Sequence, residues 1–409
     1  MMSGAMLAQA VNLAVTPVLT RLFTPSDFGV LKLVNSFAAL FIGVAALRFD
    51  MAIVLPKRES HGAGLLALSL TCVAFTTGLA VLVVLLGGGW LADALGGPGL
   101  ESWLWLAPPI ILVTGAYNAL TYWCTRQAQF GRLSISAATA GLSSAGAKLV
   151  GGAARLGALG LTGGQLLGQA VAALVLGAQV WRSDRAMLRL ARFSRFRALA
   201  KSYRDFPFVH APMTLINRFV QTLPVFMLGT YFGEESVGQW ALCMVLVAVP
   251  VQVLQNAFRQ VVFQRMSARV NEGGDVVPLL NRSHLGLFLV GILPATVGSY
   301  FAPEVLPWIL GFEWTGAGHM ARFAIWWQLS LLVSTPALAL FPVLRMQRAV
   351  LVWQVGGLAL CAGVLYFAAS TGDAVVLMAH YSYAMVALNV VFIVMVSVVA
   401  RGGASAARS

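Results

Sequence analysis

Apolar residues fall in runs of roughly 20 that recur along the whole chain, each long enough to cross about 30 Å of hydrocarbon as a helix, with short polar breaks separating them. Reading runs against breaks predicts spans near 2–21, 29–54, 63–87, 103–124, 134–154, 159–181, 207–231, 237–258, 285–301, 318–342, 349–369 and 374–399. That makes twelve, and the predicted class is an all-α polytopic membrane protein. The opening stretch, MMSGAMLAQAVNLAVTPVL, lacks a basic n-region and a cleavage site. It reads as the first span and not as a signal peptide, with a truncated start as the alternative.

The polar breaks then organise the spans. The longest, RSDRAMLRLARFSRFRALAKSYRD, divides six from six and predicts an N-terminal lobe over 1–181, a basic linker over 182–206 and a C-terminal lobe over 207–409. Within the linker, Leu190, Phe193 and Phe196 are offset from Arg185, Arg189 and Arg192, the pattern of a basic amphipathic helix lying on anionic lipid. Two breaks also echo each other, because FTPSDFG (Phe23 to Gly29) and FGEESVG (Phe232 to Gly238) share one phenylalanine-to-glycine spacing, with Pro17 and Pro224 upstream. Halves with an even number of spans run parallel, so the expectation is two pseudo-symmetric six-helix lobes around a central cavity.

Composition adds that a soluble globule is excluded. The chain is 59% hydrophobic and only 10% charged, with a mean hydropathy of +0.82. A net charge of +13 raises the question of nucleic acid, but the charges sit between spans. Of 27 lysines and arginines, 20 fall on the side that carries the N-terminus, and only Arg21 and Arg155 on the other. Basic residues stay on the cytoplasmic side of short loops, which predicts both termini inside and no nucleic-acid partner. Cys72, Cys124, Cys243 and Cys361 lie in or at the ends of four different spans without metal-like spacing, so they read as packing residues; no metal and no cofactor is expected. Glycine spacing such as Gly164 to Gly168 predicts close helix packing.

Five cations remain in or near the ends of spans: Lys32, Arg48, Lys148, Arg218 and Arg322, against Asp50 as the comparable carboxylate. An ionisable group at a span centre costs about 2.5–3.5 kcal/mol on insertion scales, so it usually faces a wet cavity. Lys32, Arg48 and Arg322 lie near enough to span ends to snorkel instead. Arg218 is mid-span and has no such escape. Around it His210, Thr214, Asn217 and Gln221 recur at three- and four-residue steps, while Asn12 belongs to a similar polar stripe in the first span. Amides and hydroxyls at helical spacing suit sugars, and arginine suits phosphate. These residues predict a hydrated cavity of positive potential for an anionic, hydroxylated cargo. Pro17, Pro224, Pro250 and Pro336 supply kinks in spans. There is no Walker A end, HExxH, GxSxG or paired outer carboxylate, so an enzyme is not expected.

The segments TPVLTRLFTPSDFGVLKLVNSF with LRFDMAIVLPKRES, and YRDFPFVHAPMTLINRFVQTLPVFMLGTYFGEESVGQWALCMVLVAVPVQVLQNAFRQV, resemble the polysaccharide (oligosaccharide) flippases. These belong to the multidrug/oligosaccharidyl-lipid/polysaccharide exporter superfamily. The resemblance implies a V-shaped pair of six-helix lobes that opens alternately to each side. It further implies an undecaprenyl-diphosphate-linked oligosaccharide as cargo, moved from the inner to the outer leaflet of the bacterial inner membrane for O-antigen, capsule or exopolysaccharide assembly. A polysaccharide polymerase and chain-length machinery are the protein partners it suggests.

On this reading Arg218 and Lys148 are the principal diphosphate contacts. Arg48, Lys32 and Arg322 assist, Asn217, Gln221 and Asn12 face the sugars, and Asp50 or His210 carries any coupled proton. Scarce intramembrane carboxylates argue against an ion-coupled organic-cation antiporter, and twelve spans argue against a peptidoglycan-precursor flippase, which commonly has two more. Both remain the alternatives.

Overall fold

A computed structural model describes residues 2–406 other than 192, 273, 342, 343, 345 and 371. Among the described residues there are twelve long helices. They are α1 (Met2–Leu22), α2 (Pro25–Ile42), α3 (Glu59–Leu95), α4 (Ala107–Arg126), α5 (Phe130–Ala153) and α6 (Ala158–Leu188). Next, Ala211–Asn271 is broken at Gly233 into α7 (211–232) and α8 (234–271). The series closes with α9 (Val277–Leu310), α10 (Thr315–Val333), α11 (Gln347–Ala369) and α12 (Ala374–Ala406). Each predicted span has its helix, except that the second, expected over 29–54, stops at Ile42 and gives way to turns and a short helix, Phe49–Ala52; no strand occurs among the described residues. Eight stretches are both long and apolar enough to cross a bilayer, one of them covering α7 and α8 together. The other three helices, α1, α5 and α10, carry more small and polar positions. The molecule is a multi-pass membrane protein.

The chain forms two compact units, Met1–Gly238 and Gln239–Ser409. The first therefore takes in α7, which the sequence pattern counts as the opening span of the second half.

In the first unit, glycine sets the packing. The helices α5 and α6 meet along Gly160, Gly164 and Gly168: a Cβ on Gly164 would stand 2.8 Å from the Lys148 backbone nitrogen, and one on Gly168 would stand 2.5 Å from Ser144 Cβ. Helix α1 lies equally close to α5, with Gly141 against the Ala8 backbone. Spacing of four along α6 puts these glycines on one face, and missing side chains let backbones approach where no hydrophobic effect draws helices together.

The predicted amphipathic helix of the linker takes another form. Helix α6 runs on to Leu188, and the chain turns before a short helix, Phe196–Ser202. There Leu199 is buried in the same cluster as Trp123, Leu176 and Val180, with Met187, Leu188 and Phe196 against it. Of the predicted apolar positions, Phe196 packs on this cluster while Leu190 is exposed. Arg192 lies outside the described residues.

The second unit holds the rest of α8 and α9 to α12. Trp240 and Trp327 stack at 6.3 Å with Tyr381 edge-on to Trp327 at 5.4 Å. Helix α10 ends where Pro336 cannot continue the ladder, because proline has no N–H to give. Two side chains serve the carbonyls near that break: Gln255 Nε2 donates to Leu331 O at 2.9 Å, and His284 Nδ1 lies 2.6 Å from Val333 O.

Candidate functional site

The paired motifs find a physical meaning in the first unit. In FTPSDFG, Thr24 caps α2: its hydroxyl accepts from Asp27 N while Asp27 Oδ2 accepts from Thr24 N at 2.9 Å, with Pro25 just inside the helix. In FGEESVG, Gly233 adopts φ 77°, a left-handed conformation that favours glycine, and this separates α7 from α8. Equal spacing thus covers two different local structures. Yet they dock reciprocally, since a Cβ on Gly29 would fall 1.8 Å from Glu234 O and one on Gly238 would fall 1.8 Å from Pro25 O. The third residue of each motif receives the last glycine of the other, and only glycine permits that approach.

Arg218 lies about 10 Å of helix rise into α7, roughly a third of the way along it. It is exposed, as are Asn217, Gln221 and His210. Gln221 Nε2 donates to Asn217 Oδ1 at 2.6 Å, so this amide pair forms one polar strip beside the arginine. The arginine stem crosses Gly43, where a Cβ would come 3.0 Å from Arg218 Cγ and 3.2 Å from Thr214 Cγ2. His210 stacks near Phe206 at 5.1 Å.

Lys148 and Lys32 are half-buried. Lys148 sits at the level of Gly164 on α6, and the neighbouring Gln165 exchanges two hydrogen bonds with Asn35 of α2, at 3.2 and 2.8 Å. Lys32 lies one helical turn from Asn35 on the same side of α2. One turn along α6, Gln169 accepts a hydrogen bond from Thr114 of α4. The structure therefore adds Asn35, Gln165, Thr114 and Gln169 to the polar interior of this unit. Their signal in the sequence was there, as three- and four-residue steps from Lys32 and within GGQLLGQ, but it lay among glycines and alanines.

Arg48 and its predecessor Leu47 both adopt positive φ, 63° and 49°. The strained turn inserts Asp50 into the protein, where it is 6% exposed. Arg48 donates to the Met51 sulfur, and its Nε, like Asp50 Oδ1, is buried without a hydrogen-bond partner. Asn12 is turned on its own helix, Nδ2 donating to Ala8 O at 2.9 Å. Arg322 belongs to the second unit, exposed on α10, with its carbonyl accepting from Ser299.

The ion pairs among the described residues are Arg126 with Glu59 at 3.3 Å and Arg132 with Asp184 at 3.2 Å. None of the five proposed cations takes part. Asp184 is a second buried carboxylate, 4% exposed, that the sequence pattern places in the linker; α6 continues far enough to bury it, and Trp123 Nε1 also donates to it at 2.9 Å.

Residues 18–318 match the family model described as polysaccharide biosynthesis protein. Among solved structures, an inward-facing multidrug resistance MATE family transporter of the MOP superfamily is 15% identical, with a TM-score of 0.72 over 100% of this chain and 96% of that one. The lipid II flippase MurJ, inward closed, is 9% identical with a TM-score of 0.74, over 96% of this chain and 85% of its own. A MOP superfamily transporter from Pyrococcus furiosus, for which a binding pocket of reverse polarity is described, is 14% identical with a TM-score of 0.57, covering 100% and 94%. No curated protein matches the chain in sequence. The fold is that of MATE and MurJ transporters.

Proposed function

We propose, on the premise that this chain belongs to the polysaccharide biosynthesis protein family, that it is a flippase for undecaprenyl-diphosphate-linked oligosaccharide repeat units. It carries them from the inner to the outer leaflet of a bacterial inner membrane by alternating access, for O-antigen, capsule or exopolysaccharide assembly, with both termini cytoplasmic. The polymerase and chain-length machinery that receive the product are its protein partners. The linker over 182–206 joins the two functional halves.

The observation that carries this reading is the surplus of cations over carboxylates in the first unit: Arg48 has Asp50 as a charged neighbour, while Lys32, Lys148 and Arg218 have no ion pair among the described residues. A cation exporter needs the opposite balance. Arg218 and Lys148 hold the diphosphate, with Lys32, Arg48 and Arg322 as further contacts on its route. The Asn217–Gln221 strip and Asn12 meet the sugar hydroxyls.

Two phosphate charges leaving a negative-inside cytoplasm gain at most roughly 4.6 kcal/mol per 100 mV, at about 2.3 per charge. That drives export without a proton. Where a proton is coupled, Asp50 suits the task better than the exposed His210, since one of its oxygens is buried and unpartnered.

Reconstitution with a radiolabelled lipid-linked oligosaccharide, scored for leaflet transfer with and without an imposed potential, is the direct test. Transfer accelerated by a negative interior supports the proposal; transport of organic cations in its place defeats it.

A further inference from the structure

The breaks between helices converge at the end of the first unit where α1 finishes and α2 starts. Thr230 Oγ1, near the end of α7, donates to Ala94 O, near the end of α3, at 2.7 Å. The start of α8 lies on the start of α2 through the reciprocal glycine contact, which sets the Glu234 backbone against Gly29. Asp27, two residues before Gly29, turns Oδ1 toward the α5–α6 turn, where a Cβ on Gly157 would stand 3.1 Å from it.

This junction gathers carboxylates and pairs neither with a cation. Asp27 Oδ2 is committed as the cap of α2, accepting from Thr24 N at 2.9 Å and from Thr24 Oγ1 at 3.0 Å, a task that needs acceptor oxygens. Glu234 is half-buried, and its carboxyl takes no hydrogen bond and no ion pair among the described residues. The other charged groups on the elements that meet here are Arg21 before α2, Asp93 near the end of α3, Arg155 in the α5–α6 turn and Glu235 beside Glu234. All four are exposed, and neither arginine forms an ion pair. Glu234 lies in the polar break between two spans, where burial and then the Asp27 charge push its carboxyl above the ordinary carboxylate range.

We propose that the α2–α8 junction is a proton-operated latch, in which Glu234 carries a proton while the two helix ends are docked and gives it up to water when they part. A neutral Glu234 rests beside Asp27 without repulsion, whereas an ionised one sets two negative charges together at half-buried positions. Asp27 keeps its charge as the cap, so the proton belongs on Glu234. The sign follows from linkage, because the docked form binds this proton more tightly than the parted form. Docking is therefore favoured by acid. It weakens as pH rises from the ordinary glutamate value, about 4.3, to the raised one, and stays weakened above it. Gly233, at φ 77°, supplies the break in the backbone directly before the latch residue. The latch is a property of the junction and does not depend on which cargo crosses.

The test places nitroxides on Ser26→Cys and Ser236→Cys, one on each side of the contact, in the full chain with Cys72, Cys124, Cys243 and Cys361 replaced by alanine. Their dipolar broadening is read in nanodiscs without cargo, which keeps the outcome independent of the flippase reading. Broadening is expected to be strong at about pH 4.5 and to fall at least about twofold by about pH 8. Glu234→Gln, neutral and of the same shape, is expected to keep the acid spectrum at both pH values. Asp27→Asn, whose amide oxygen still caps α2, is expected to shrink the dependence, and Glu235→Gln to leave it intact. A parent spectrum unchanged by pH, or a full pH dependence that survives in folded Glu234→Gln or in Asp27→Asn, overturns the latch. So does a dependence abolished by Glu235→Gln, which would assign the proton to the exposed neighbour.

Discussion

The reciprocal glycine contact makes the sharpest prediction. Replacing Gly238 by leucine sets a Cβ where Pro25 O now lies 1.8 Å away, and ordinary contact needs about 3.5 Å. The ends of α2 and α8 must then part by more than 1 Å, because a backbone carbonyl cannot rotate aside as a side chain can. Overpacking of this kind costs about 1–3 kcal/mol, which at about 1.4 kcal/mol per decade is a roughly 5- to 150-fold shift against the docked arrangement. The assay is labelling of Ser26→Cys, beside the contact, by a membrane-impermeant maleimide, with the four native cysteines replaced by alanine. Gly238→Leu is expected to raise the labelling rate at least fivefold and to slow leaflet transfer. Gly29→Leu is expected to do the same, since its Cβ meets Glu234 O at the same 1.8 Å. A folded Gly238→Leu protein that labels and transports like its parent refutes the contact as a constraint on the cycle.

Other outcomes follow from the same geometry. Arg218→Glu abolishes transfer while the protein remains folded in the membrane, and Gly43→Leu, which occupies the path of the Arg218 stem, reduces transfer without touching a charge; retained transport in the first removes the arginine from the site. Asp184→Ala, which leaves Arg132 unpaired and Trp123 without its acceptor, lowers unfolding stability in mixed micelles by about 3 kcal/mol, and Asp184→Asn, still able to accept from Trp123, by about half that; equal stability of both with the parent contradicts the role. A double-mutant cycle on Asn35→Ala and Gln165→Ala returns a coupling of roughly 0.6–1.7 kcal/mol in unfolding measurements, and additive effects show that the pair contributes nothing.

Much of this protein was legible in the sequence. Periodicity and length alone give twelve helices, since a bilayer leaves a backbone few ways to satisfy its own hydrogen bonds and each crossing needs a fixed length of apolar chain. The isolated cations stood out for a related reason, as charge in hydrocarbon is costly wherever it points. Glycine spacing announced close helix packing, though not which helices meet.

Partners and boundaries were decided by the tertiary structure. The sequence holds Asp184 among linker arginines; only the continuation of α6 buries it on Arg132 and Trp123. It holds Asn35 and Gln165 130 residues apart, and their pairing exists only because α2 and α6 pack side by side. It shows FTPSDFG and FGEESVG as a repeat, but the folded chain makes one a capping box, the other a glycine break, and sets each against the other. Local pattern fixes what each segment becomes in a membrane, whereas contacts between distant segments depend on which small residues let two backbones touch, and that is a property of the assembled helices.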